Sequence, residues 1–279
     1  MAAGLIADDV AATAGVPEPE RSVVDRVRSL RRPWARPFVI VGIPWRAEAI
    51  REDLAAQGHP QGGRRPMAYL LADDLGSIVA DAWTARAFDQ GGPTWSEFLY
   101  AFGTAGHLPP RADLARMARS ASYKYGRDNV RIVFDHDQLA TELGVRALAG
   151  PPRLDAPAID LIRRVGEPLG ILVPTEERPV LLRSRLLHRL SGPTGSRLVV
   201  PRRWDTWLQT QAERTHHDLA AAGHPVLGDL DDLLPDPAPS ATNATDSGLP
   251  ADSDVLELAL GLLLDPVSAP TKNPVEEAS

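Results

Sequence analysis

Cysteine is absent from the 279 residues. That excludes disulfides, thiolate nucleophiles and cysteine-based metal sites, and it is compatible with a reducing compartment. Positive charge is also in deficit: the net charge is −7 and the isoelectric point about 5.5. No overall basic field exists to attract nucleic acid or anionic lipid. No apolar run approaches the roughly 18 residues that span a bilayer. The first fifteen residues, MAAGLIADDVAATAG, have neither a basic start nor a sustained apolar stretch, so they do not read as a signal peptide. No GxxxxGK[ST] occurs, no GxGxxG follows a strand, and no internal repeat is found. A cytoplasmic protein without a membrane span and without nucleic acid as a partner is the expectation.

The chain does have enough apolar material for a core, with 43% hydrophobic residues. Residues 37–58, PFVIVGIPWRAEAIREDLAAQG, carry the clearest local pattern. Residues 38–43 form a short apolar, β-branched run, as a strand buried on both faces requires. Gly42 and Pro44 break it, residues 47–57 read as a helix, and Gly58 fits the left-handed position that closes one. Strand, tight turn and helix form the opening unit of an α/β nucleotide-binding fold, in which N–H groups at the helix start can hold a phosphate.

Further along, residues 67–71 and 129–134 read as strands and 74–88 and 112–125 as helices. Thr94 and Glu97 have the capping-box spacing at the start of another helix. From residue 138 the pattern is helical, over 138–148, 156–165, 178–190 and 202–222. Three apolar strands separated by helices predict a small parallel sheet flanked by helices, with a mainly helical C-terminal half. The predicted organisation is a flexible leader (1–32, with a helix over 20–30), a domain (33–235), a Pro- and Ser-rich disordered linker (236–254), an apolar helix (255–264) and a tail (265–279). The apolar helix must be buried, either against the domain or in a homo-oligomer.

Several segments resemble the actinobacterial sulfotransferase-like proteins, members of the family that uses 3′-phosphoadenosine 5′-phosphosulfate (PAPS). They are Asp74 and Leu75 with Trp83, TWSEFL at 94–99, the strand 129–133, PPRLDAPAIDLIRR at 151–164, and 200–235 ending in GDLDDLLP. Together they cover residues 70–264, with gaps. The resemblance implies a reduced P-loop-like sulfotransferase fold and sulfuryl transfer from PAPS to an unknown hydroxyl acceptor. It also implies a phosphate-binding turn at Gly42, Pro44, Trp45, Arg46 and Ala47, with Ser77 as a companion hydroxyl.

The chain departs from that family at the residues that handle the cofactor. Trp45 stands where the family has a lysine, Ala47 where it has a glycine, and Asp73 where it has an arginine. Arg46 is the substitute cation. Glu48 either opposes a phosphate or satisfies the helix dipole. The family's base lies in a segment replaced here by residues 59–65, which leaves His59 as the candidate base or as a solvated loop histidine. Two readings therefore stand: a PAPS-dependent sulfotransferase with a divergent loop, or a catalytically inactive relative that binds or scaffolds.

Other clusters have plainer readings beside functional ones. Asp135, His136 and Asp137 follow the third strand, either as a base or metal site or as a helix cap with a surface histidine. His216 and His217 are neighbours on a helix and diverge by about 100°, which does not chelate. Asp229, Asp231 and Asp232 read as a helix start or a cation site, and Trp204 and Trp207 as core or as a cover over a ligand. No metal site is predicted.

Overall fold

The computed structural model describes residues 2–11, 37–150, 152–191, 198–235 and 251–264. The expected helix at 20–30, most of the linker and the tail lie outside the described residues. Four short strands, β1 (Phe38–Val41), β2 (Met67–Leu71), β3 (Val130–Val133) and β4 (Val226–Leu227), make one parallel sheet in the order β1-β2-β3-β4. The fold is thus α/β with a small parallel sheet. The fourth strand has only two residues, too short to leave an apolar run in the sequence.

Side chains alternate across the sheet as the strand period demands. Phe38, Ile40, Tyr69, Leu71 and Val133 face one side, where α2 (Pro44–Ala56) supplies Ala47, Ile50 and Leu54. On that side α6 (His136–Leu143) supplies Leu139. Leu70 and Ile132 face the other side and meet α3 (Leu75–Gln90). Ala68 and Val130 face the same way and meet Ala121 of α5 (Leu114–Tyr125), where the small side chains allow close approach. The β1–β2 and β2–β3 connections step the same way across the sheet but over opposite faces. They therefore differ in hand, and one of them departs from the usual right-handed rule.

On the α3 side, α4 (Trp95–Ala105) begins at the predicted Thr94–Glu97 capping box, which is fully formed. A central helix, α7 (Ala156–Leu172), packs against α3. After it come α8 (Arg178–Leu182), a π-turn (Arg183–Leu187) and one turn of α9 (His188–Leu190). The long α10 (Asp205–Ala222) lies on α5.

Both ends of the described chain dock on α7. The expectation of a flexible leader does not hold for residues 2–11, which form α1 (Ala2–Ala11) with Ile6, Ala7 and Val10 buried. The terminal helix, α11 (Asp252–Leu264), starts inside the expected linker and lies on α7 beside α1. It buries Val255 and Ala259, while Leu256, Leu260, Leu263 and Leu264 remain exposed. Of the two expected fates, docking against the domain is the one observed for its inner face.

Residues 59–65 contain no strand, only an isolated antiparallel bridge between Gly62 and Phe38. The loop nevertheless covers the outer edge of β1. Gly62 N–H donates to the Phe38 carbonyl (2.7 Å), Gln61 Oε1 accepts from Ile40 N–H (3.3 Å), and Arg51 donates to the Ile40 carbonyl (2.7 Å). Those bonds occupy groups that would otherwise invite edge-to-edge pairing.

Candidate functional site at the carboxyl ends of the strands

All four strands run the same way, so the loops after β1, β2, β3 and β4 gather at one end of the sheet. Helices leave that end toward opposite faces, the arrangement that opens a ligand crevice in α/β proteins. The crevice is lined by Arg46, Ala72, Asp73, Phe134, Asp135, His136, Asp137, Gly228 and Asp232. Two glycines allow close packing at this end of the sheet, and Gly228 lines the crevice itself. A Cβ on Gly42 (φ 144°) would lie 3.2 Å from Leu71 Cβ, and one on Gly228 (φ 96°) would lie 2.9 Å from the Asp135 nitrogen.

Arg46 is the buried cation at this place, only 8% exposed. Its guanidinium forms ion pairs with Asp73, beyond the end of β2, and with Asp81 on α3. Burial alone would lower its pKa, but Asp81 and Asp73 together outweigh that and raise it above its ordinary value. The substitute cation is present, and two carboxylates of the same chain neutralise it.

The turn itself has few donors left for an anion. Pro44 opens α2 and carries no N–H. The N–H groups of Arg46 and Ala47 both donate to the Ile43 carbonyl, at 3.1 and 2.9 Å. Trp45 points into the core and stacks on Phe88, ring centroids 5.1 Å apart. Ala47 is fully buried against β1 and β2. Glu48 lies beyond the first helical turn and pairs with Arg183, so it serves neither a phosphate nor the helix start. Arg183 also stands 5.9 Å over the Phe88 ring and 3.8 Å from Asp89.

Ser77 is buried, and its N–H donates to the Asp74 carboxylate (2.9 Å) that caps α3. It shares a helix face with Asp81 one turn on. The sequence reading missed Asp81, although that spacing from Ser77 was the available signal.

His59 is not at the site. It follows the far end of α2, where its N–H donates to the Leu54 carbonyl (2.7 Å). A helix of 13 residues spans roughly 20 Å, so the candidate base sits at the opposite end of the sheet from the crevice.

His136 does line the crevice. It is held neutral chiefly by burial and next by the Arg46 charge, against the pull of Asp73, Asp135 and Asp137, and its pKa lies below the ordinary 6.5. Asp135 caps α6 by accepting from the N–H groups of Asp137 (2.8 Å) and Gln138 (3.0 Å), and the Gln138 bond is the main cause of its lowered pKa. Asp229 accepts from Asp231 N–H (3.0 Å), and Asp231 accepts from His216 (3.0 Å). No group of three metal-ligating side chains is assembled among the described residues. Trp204 and Trp207 pack on the core, rings 6.2 Å apart, and line no described cavity of the crevice.

The residues present do not fit PAPS. A phosphosulfate and a ribose phosphate need convergent N–H donors and free cations. This crevice offers a self-neutralised arginine, a neutral histidine and the carboxylates of Asp73, Asp135, Asp137 and Asp232. Chemically it can hold internal ion pairs and repel an anion. Comparison of the chain with protein-family models, curated proteins and solved structures found no match. No helix among the described residues is long and apolar enough to cross a membrane.

Proposed function

We propose that this chain is a catalytically inactive, sulfotransferase-like binding or scaffolding protein. In it, Asp73 and Asp81 have taken over the positions and the cation that PAPS would need. The observation that carries this reading is the Arg46 guanidinium clamped between those two carboxylates. The family assignment rests on the segment resemblance, and the strand, turn and helix at residues 38–56 are compatible with it.

The second reading, PAPS-dependent sulfuryl transfer to a hydroxyl acceptor, is favoured by one feature. Gly42, Arg46 and Ser77 all belong to the turn and helix starts at the carboxyl end of the sheet, where α/β ligands bind. Thermal unfolding with and without millimolar 3′-phosphoadenosine 5′-phosphate, the cofactor product, separates the two. A ligand at about 100 times its dissociation constant adds roughly 2.7 kcal/mol of stability. The expected result is no shift in midpoint. A rise that disappears in Arg46→Ala would overturn the inactive reading in favour of the enzyme.

Two accompanying assignments belong to this proposal. The absence of cysteine supports a cytoplasmic location. The exposed leucines of α11 support a homo-oligomer through the terminal helix. A monomer in solution both with and without residues 236–279 would remove the oligomer.

A further inference from the structure

Outside the crevice, α3, α4 and the loop after α4 enclose a second concavity that shares no residue with it. The three residues Ala82, Arg86 and Gln90 lie one turn apart on α3, and Phe98 and Phe102 one turn apart on α4. Pro109, Pro110 and Arg111 close the third side. The Phe98 and Phe102 rings meet edge to face, centroids 5.0 Å apart. The cavity measures about 180 Å³. That is below the roughly 300 Å³ at which drug-sized sites begin. It is close to the engineered cavity of about 150 Å³ that takes up a benzene ring.

The two arginines differ in charge state of their surroundings. Arg111 is paired with Asp89 at 2.5 Å. Arg86 has no carboxylate partner among the described residues, and its Nε is buried with no acceptor. Arg86 therefore lines the cavity as a cation that no carboxylate among the described residues neutralises. Gly92 makes room for this side chain: a Cβ there would stand 3.1 Å from Arg86 Nε. A guanidinium presents a planar fork that matches a carboxylate. The aromatic and proline walls match a ring.

We infer that this cavity is a binding site for a small single-ring aromatic carboxylate, with its carboxylate on Arg86 and its ring between Phe98, Phe102 and Pro109. The site is independent of the crevice and of the fate of PAPS binding.

The experiment is a ligand-observed NMR titration of the full chain with benzoate and, separately, with its neutral analogue benzamide. Benzoate is expected to bind in the millimolar range or tighter. Benzamide, and benzoate with Arg86→Gln, are expected to bind about tenfold or more weakly, the effect of losing a charged hydrogen bond. No benzoate binding, equal affinity for the two probes, or undiminished binding to folded Arg86→Gln would overturn the inference. Should that variant fail to fold, the benzoate–benzamide comparison in the unaltered chain decides alone.

Discussion

Arg46 and Asp73 follow the ends of neighbouring strands β1 and β2, and their side chains close an ion pair across the mouth of the crevice. Asp81 holds the same guanidinium from the α3 side, so the cation is fixed between two elements that the sheet brings together.

Removing that cation leaves two carboxylates facing each other. Breaking a fully buried pair costs about 3–5 kcal/mol. Asp73 is 38% exposed, so solvent screens part of the loss, and Arg46→Ala is expected to destabilise by about 2–3 kcal/mol. Urea unfolding should show a lower midpoint at unchanged slope. Adding Asp73→Asn to Arg46→Ala should recover part of the loss.

Restoring the family's lysine is expected to fail. Trp45 is 6% exposed and stacked on Phe88. Trp45→Lys would exchange a core aromatic for a buried ammonium, at a cost of at least about 3 kcal/mol. Thermal unfolding should show a large fall in midpoint and no response to 3′-phosphoadenosine 5′-phosphate.

Acidification should weaken the fold through His136. Its pKa in the folded chain lies below 6.5, so in the window between the two values the unfolded chain binds more protons than the folded one. The stability is fully present above about 6.5 and is lost as pH falls through that window. Urea midpoints on either side of 6.5 should differ, and His136→Gln should reduce the difference.

An alanine at position 103 should destabilise, although alanine is the better helix former. A Cβ at Gly103 would come within 2.2 Å of the Trp204 ring. Overpacking of this kind costs about 1–3 kcal/mol, against a gain of about 1 kcal/mol in helix propensity. The thermal midpoint of Gly103→Ala should fall. A rise would mean that Trp204 moves aside freely.

Much of the fold is legible in local pattern. Residues 67–71 are a strand in both the sequence reading and the structure, because MAYLL is an apolar run of strand length with turn residues before it. Thr94 and Glu97 mark a helix start because capping is a matter of spacing alone. By contrast, α1 does not declare itself: its ten residues are Ala-rich and acidic, and only the presence of α7 gives Ile6 and Val10 something to be buried against. The place of His59 was legible too: it follows a helix that starts at the carboxyl end of β1 and, in a parallel sheet, runs back to the opposite end.

The sequence by itself determined the strand–turn–helix unit at residues 38–56, the parallel class of the sheet and the residue types near its carboxyl end. Strand length, β-branching, glycine and caps act over a few residues, and so they can be read there. Only the tertiary structure decided that Trp45 faces the core while its neighbour Arg46 faces the crevice. Adjacent helical residues diverge by about 100°, and packing alone selects which one is buried. It also decided that Asp73 and Asp81 clamp the Arg46 guanidinium and that His136 lines the same crevice, because groups from separate elements meet only when the strands are laid side by side.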